Sequence, residues 1–292
     1  MTDFDLKYEE YAKKFEKTLD GFCEKLDCKP QLLADSLKYS LKLGGKRIRP
    51  VLMLATADML GVEEERVMPF ALALELVHTY SLIHDDLPEM DNDDFRRGKP
   101  SNHKVFGVGN AVLAGDGLLN TAYSILFGEC FNGGEYVSAA KYICDCAGIY
   151  GMIAGQSADL AHENDKEINE DILDFIYENK TAKLIMAAVV TPTILCGGKY
   201  YSELKAFGKE LGFLFQITDD ILDVEGSFEN LGKSTGKDLR EGKYTGVGLY
   251  GLDKCKIKAD LICENCVKLM EGISADTSFM KKIAFFVRQR VG

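Results

Sequence analysis

The segment FALALELVHTYSLIHDDLPEMDNDDFRRG, Phe70 to Gly98, runs from an almost wholly apolar stretch into six acidic side chains within ten residues and then into two adjacent arginines. The apolar part is too long and too continuous for a one-sided strand, so it reads as a buried helix that ends at the acids. The carboxylates therefore cap a core element and cannot disperse into water. Like charges crowded at such a place raise one another's pKa unless a cation compensates. A hard divalent ion is the natural compensator, because carboxylate oxygens suit magnesium, which keeps some water and shares phosphate ligands. Asp85 and Asp91 are six apart and would diverge on an ideal helix. Pro88 should break that helix and let the chain curl back.

The same 3.6-residue periodicity recurs outward from this segment, while strand-like alternation is almost absent. Helices are predicted over 5–25, 31–42, 50–60, 66–85, 109–130, 135–160, 169–195, 200–224, 244–270 and 277–290. Pro50 suits a first helical turn, following Gly44-Gly45-Lys46-Arg47-Ile48-Arg49. No Pro/Ser-rich linker divides the chain, so residues 1–292 are expected to form one all-α domain.

A hydrophobic fraction of 46% and a charged fraction of 28% are those of a globular protein. The net charge of -11 argues against nucleic acid, whose backbone demands a basic face. The N-terminus lacks a basic region followed by an apolar one, and no uninterrupted apolar run reaches the roughly 18 to 20 residues of a membrane span. A cytoplasmic protein without stable membrane insertion is expected. Nine cysteines are an odd number, which fits a reduced compartment. Cys263-Glu-Asn-Cys266 has no second pair and no nearby histidine, so it reads as helix surface rather than a zinc site.

A second acidic cluster stands in FQITDDILD, Phe215 to Asp223. Asp219 and Asp223, four apart, share a helix face, and Gln216 precedes Asp219 by three on the same stripe. His78 precedes Asp85 by seven, again two turns along one face. Cations gather at Lys46, Arg47 and Arg49; at Arg96, Arg97 and Lys99; at Lys180 and Lys183; and at Lys233, Lys237 and Lys243. Flanking glycines allow backbone close to a bulky anion, and both arginine forks and lysine charges suit phosphate oxygens. Two acidic and four basic clusters imply a diphosphate held between magnesium ions and cations.

GGKRIRP at Gly44 to Pro50, HDDLPEMD at His84 to Asp91 with RRG at Arg96 to Gly98, GQSADL at Gly155 to Leu160, KT at Lys180 and Thr181, FQITDDILD, GKSTGKD and GKYT follow one another along most of the chain. Together they resemble the trans-prenyltransferases, the head-to-tail isoprenyl diphosphate synthases, and most of all their bacterial farnesyl-producing branch. The resemblance implies an all-α isoprenoid synthase-type bundle of about ten or more antiparallel helices around a deep apolar cavity, assembled as a homodimer. It implies that Asp85, Asp86 and Asp91, with Asp219, Asp220 and Asp223, hold about three Mg2+ ions, for which Mn2+ can substitute. It further implies that Arg96, Lys180, Lys233 and Lys243 bind the allylic diphosphate, while Lys46, Arg49, His78 and Arg97 bind isopentenyl diphosphate. Thr181 and Gln216 would turn oxygens toward the carbocation.

Physical chemistry agrees with these roles. A departing pyrophosphate gathers charge that metal ions and fixed cations stabilise best away from water. The allylic cation must be walled in by apolar helices. No nucleophilic side chain is required. Tyr80 lies five residues before Asp85, about 7.5 Å down the helix. In the family an aromatic side chain at that level is a cavity floor, and with Ser81 beside it the pattern implies a product of fifteen carbons. A geranylgeranyl diphosphate synthase shares every motif but this floor. A terpene cyclase has no use for the Gly44 to Pro50 site, and a non-catalytic partner subunit typically lacks an aspartate motif. Two stretches are less typical: Thr245 is followed by Gly-Val-Gly-Leu-Tyr-Gly in place of an aromatic and leucine-rich helix start, and Arg288-Gln-Arg290 is a basic tail that could close over the site.

Overall fold

Helix α1 (Asp3–Lys25) opens on a reciprocal cap, in which Asp5 N–H donates to the Thr2 hydroxyl at 3.2 Å and Thr2 N–H donates to the Asp5 carboxylate at 2.7 Å. The computed structural model describes residues 1–163, 169–225 and 245–289. Helices α2 (Gln31–Leu41) and α3 (Ile48–Leu60) follow, with Pro50 in the first turn of α3, and then α4 (Glu64–Asp85). By length and composition α4 could cross a membrane, yet 67% of its most apolar window is buried inside the bundle. It is a core helix.

After α4 the chain forms a two-residue hairpin that periodicity did not predict, pairing β1 (Phe95–Arg96) with β2 (Lys99–Pro100). Its turn, Arg97-Gly98, has both residues at positive φ (54° and 74°), the geometry that follows the natural twist of paired strands. The short α5 (Asn102–Phe106) leads into α6 (Val108–Glu129).

Three predicted helices are interrupted. The 135–160 segment is α7 (Gly134–Ala147) and α8 (Met152–Ala161), separated at Gly148 to Gly151. A Cβ on Gly151 would press on the backbone carbonyls of Asp145 and Cys146, so the bend needs glycine there. The 169–195 segment is α9 (Glu170–Ile176), a π-helical turn at Tyr177–Ala182, and α10 (Lys183–Leu195). After α11 (Tyr201–Glu225), the 244–270 segment is the short α12 (Gly246–Tyr250), a break at Gly251 with φ of 80°, and α13 (Leu252–Glu271). Helix α14 (Ser278–Arg288) ends the described chain.

Helix α4 packs on α3 and α6, α10 packs on α3, α7 and α11, and α11 packs on α13. One continuous apolar core runs from Phe4 of α1 to Val287 of α14. Cys263 and Cys266 are helical as expected, but they face this core rather than the surface, and both are free thiols.

Candidate active site

The end of α4 shows how the first acidic cluster is assembled. The helix stops at Asp85, and the chain folds back so that Asp91 N–H donates to the Asp85 carbonyl at 2.8 Å and Asn92 N–H to the Leu87 carbonyl at 3.0 Å. Asp85 lines a cavity of about 380 Å³. Burial, with the charges of Asp91 and Asp86 adding to it against the opposing pull of Lys180, pushes its carboxyl up to about 7. Asp86 turns elsewhere. It is buried and paired with Arg96, whose Nε donates to it at 3.0 and 3.3 Å and whose Nη2 also bonds it. Arg96 thereby neutralises Asp86, and Asp93 stands 3.5 Å from the same guanidinium.

The glycine-rich segment before α3 carries a second arrangement. Arg47 adopts a left-handed backbone and is buried, donating to Glu75 at 2.8 Å, Glu16 at 2.7 Å and the Leu41 carbonyl at 2.7 Å. This role was not foreseen: Arg47 holds the loop to α1, α2 and α4. Arg97 from the hairpin donates to the Gly44 carbonyl. Gly45 has a φ of 129°, which a side chain would strain, and a Cβ there would lie 2.5 Å from the Arg97 guanidinium carbon and push that side chain aside. Arg49 reaches the cavity, and its Nε is sealed from solvent with no hydrogen-bond partner among the described residues. Burial lowers its pKa to about 10, with Asp219 and Glu75 within electrostatic reach. His78 lines the same cavity, held well below the usual histidine range by burial and by the charges of Arg49 and Arg97, so it is neutral. Lys46 places its ammonium 5.5 Å from the Phe286 ring.

The π turn between α9 and α10 links the two acidic clusters. Lys180 Nζ stands 2.5 Å from Asp159 of α8 and within electrostatic reach of Asp85 and Asp91. Thr181, the next residue, donates its hydroxyl to Gln216 Oε1 on α11 at 2.7 Å. Gln216 Nε2 donates in turn to Asp220 at 3.0 Å. Asp220 also accepts from the Tyr177 hydroxyl and from Gly246 N–H at 2.6 Å. Desolvation and the neighbouring Asp220 charge raise Tyr177 well above the usual phenol range. Asp223 is buried further along the same helix, and Asp219 is half-buried.

Tight packing aims this turn. A Cβ on Gly155 of α8 would lie 2.7 Å from Lys180 Cα, and one on Gly212 of α11 would overlap Ala182. A Cβ on Gly246 would meet the Tyr177 oxygen at 2.7 Å. The atypical glycines after Thr245 therefore allow the backbone to reach Asp220. A π turn adds a residue to the helix, the kind of irregularity found where side chains must be re-aimed.

Tyr80, Ser81, Met90, Met152, Ile153 and Leu160 line the apolar part of the cavity. Tyr80 is 6% exposed and meets His84 edge-on, with ring centroids 5.7 Å apart. Ser81 donates to the His78 carbonyl at 2.9 Å. His84 donates to the Val112 carbonyl of α6 at 3.0 Å, in a space that a side chain on Gly115 would fill. Arg288 binds Asp260 of α13 at 2.7 Å. Lys233 and Lys243 lie outside the described residues, as does Arg290.

Among the described residues, no three His, Cys, Asp or Glu side chains gather into a group that could hold a metal ion. The donors still fit magnesium. All are carboxylates, and burial, the main cause of the raised Asp85 carboxyl, is a cost to its charged form that a bound cation would offset. Magnesium commonly takes one or two carboxylates and completes its shell with water and substrate phosphate.

The profile of the family described as Polyprenyl synthetase matches residues 30–280. The chain is 41% identical to the farnesyl diphosphate synthase of Bacillus subtilis over 286 residues, covering 95% of each. It is 42% identical over 250 residues to the chloroplastic geranylgeranyl pyrophosphate synthase of Capsicum annuum, covering 84% of this chain and 68% of that protein. Its fold is similar to that of a geranyltransferase from Helicobacter pylori solved with magnesium and isoprenyl diphosphate, with a TM-score of 0.86 and 30% identity over 99% of this chain and 97% of that one.

Proposed function

Since the chain belongs to the polyprenyl synthetase family and is a prenyltransferase, we propose that it condenses isopentenyl diphosphate with dimethylallyl and then geranyl diphosphate to give (2E,6E)-farnesyl diphosphate. The observation that carries this reading is a cavity whose lining brings charged and apolar residues together. Asp85, Lys180 and Arg49 stand among its charged residues, while Tyr80, Met152, Ile153 and Leu160 supply its apolar lining.

Asp85 and Asp91, at and just after the end of α4, and Asp219 of α11 are the residues that would hold Mg2+, with Mn2+ as a substitute. Once bound, the ion supplies positive charge to the leaving diphosphate. Asp86 and Asp220 are better suited to positioning, because Arg96 neutralises the first and Tyr177, Gly246 and Gln216 engage the second. Lys180 and Arg96 are cations for the allylic diphosphate, and Lys233 and Lys243 are proposed to join them. Arg49, Arg97, Lys46 and the neutral His78 suit the diphosphate of the second substrate.

The hydroxyl of Thr181 and the carbonyl of Gln216 present their oxygens' lone pairs to the allylic cation, and apolar walls keep water from it. The isopentenyl double bond attacks, and the proton then lost passes to pyrophosphate. Tyr80 ends the space available to the growing chain. A second copy is proposed to cover the outer face of α6, where Leu113 and Phe127 are exposed and Phe131 stands exposed just beyond its end.

Purified protein incubated with isopentenyl diphosphate, each allylic starter and Mg2+ should yield a C15 product on chromatography. A C20 product would favour the geranylgeranyl reading, which the plant relatives support. A folded protein that condenses nothing would instead be a non-catalytic partner subunit.

A further inference from the structure

Gln156 lines the same cavity as Asp85, Lys180 and Thr181, yet its Nε2 is sealed from solvent and donates to nothing among the described residues. A buried amide donor left unpaired is destabilising unless a ligand supplies an acceptor. Asp159, three residues on and on the same face of α8, is already engaged by Lys180 at 2.5 Å. Gln156 is therefore one helical step, about 4.5 Å, from the Lys180 anchor, on the side of Met152 and Ile153. The terminal torsion of a carboxamide is broad and roughly two-fold, so the amide can exchange its nitrogen and oxygen positions to meet a ligand in the cavity that it lines.

The proposed substrates restrict what can accept from it. A prenyl chain is hydrocarbon, so every hydrogen-bond acceptor lies on the diphosphate. We infer that Gln156 is a catalytic contact that donates to the diphosphate oxygen nearest the reacting carbon. This rests on the function proposed above and adds one residue to it. When the carbon–oxygen bond breaks, its electron pair stays on that oxygen, and a neutral donor there stabilises the charge without repelling Lys180. The carbon then takes the electron pair of the isopentenyl double bond.

The test compares wild type with Gln156→Leu, using inorganic pyrophosphate with Mg2+ as the probe in calorimetry, together with thermal unfolding and steady-state kinetics. Loss of one such donor should lower kcat by about 100- to 1,000-fold. Pyrophosphate affinity should fall about tenfold, a change of one hydrogen-bond's order. The KM for isopentenyl diphosphate should hold, and the ligand-free variant should melt at or above the wild-type temperature because an unpaired donor is gone. Gln156→Glu, which replaces the donor by an anion, should weaken pyrophosphate further. Unchanged pyrophosphate affinity in Gln156→Leu, or a melting temperature that falls in step with activity, overturns the assignment. Wild type that itself neither binds pyrophosphate nor turns over would remove the underlying function, a result distinct from a normal wild type with an indifferent variant.

Discussion

The Thr181 hydroxyl donates to Oε1 of Gln216 at 2.7 Å, and this bond joins the turn that carries Lys180 to the helix that carries Asp219. Two acidic clusters 134 residues apart between Asp85 and Asp219 are thereby referred to one short segment. Thr181→Val should remove the donor and leave the Gln216 oxygen without it. The expected stability loss is about 1 kcal/mol. Activity should fall further than that, about tenfold or more, if a misplaced group near the reacting carbon is costly as geometry demands. Thr181→Ser should restore both. Urea unfolding and steady-state kinetics on the pair would decide it, and a valine variant with full activity would show that the bond is only structural.

Gly155 offers a check on the π turn. An alanine there must displace the backbone at Asn179 and Lys180, an overpacking that destabilises by about 1 to 3 kcal/mol. The displaced backbone belongs to the residue that reaches Asp159, so Gly155→Ala should lose nearly all turnover while still folding. Circular dichroism and product assays on the same sample separate the two effects. Retention of wild-type kcat would mean that the turn tolerates being re-aimed.

Asp85 makes stability depend on pH in a defined direction. Its carboxyl titrates near 7 in the metal-free fold, because of burial first and its acidic neighbours second, against about 3.9 in an unfolded chain. A raised acid contributes stability that is fully present below the unfolded value and is lost as pH rises toward the folded one. Between about pH 4 and 7 the chelator-treated protein should lose stability that Asp85→Asn keeps. The melting-temperature gap between variant and wild type should therefore widen across that window, level off above it, and close for wild type when Mg2+ is added. A gap independent of pH would contradict the raised value.

Tyr80→Ala should lengthen the product. Tyr80 lines the cavity and is backed by His84, which is held in turn by the Val112 carbonyl, so a smaller residue opens space in the direction of α6. Chromatography of the extracted prenyl alcohols should show C20 and longer chains beside C15. Farnesyl alone would place the floor elsewhere.

Much of this site could be read from residue order. The acidic run after an apolar helix, the curl at Pro88, the shared stripe of Gln216 and Asp219, and the place of Tyr80 five residues before Asp85 follow from local rules of helix period and proline geometry, while the cavity role of Tyr80 is implied by the family resemblance. What residue order does not record is the partner that each side chain meets from a distant part of the chain. Asp86 and Asp220 look like their neighbours Asp85 and Asp219, but Arg96 takes the first and Tyr177 with Gly246 takes the second. Arg47 looked like one cation among three, and Glu75 and Glu16 make it a buried brace.

Chain composition and periodicity by themselves determined that this protein is helical and that it gathers carboxylates at the ends of buried helices. Those properties depend on neighbours within a turn or two, which the order of residues records directly. Only the tertiary structure decided which carboxylates face the cavity, where the helix carrying Lys180 takes its extra residue, and why Gly155 and Gly246 lack a side chain. Each of these depends on close contact between segments far apart in the chain, and steric exclusion of that kind leaves no period to read.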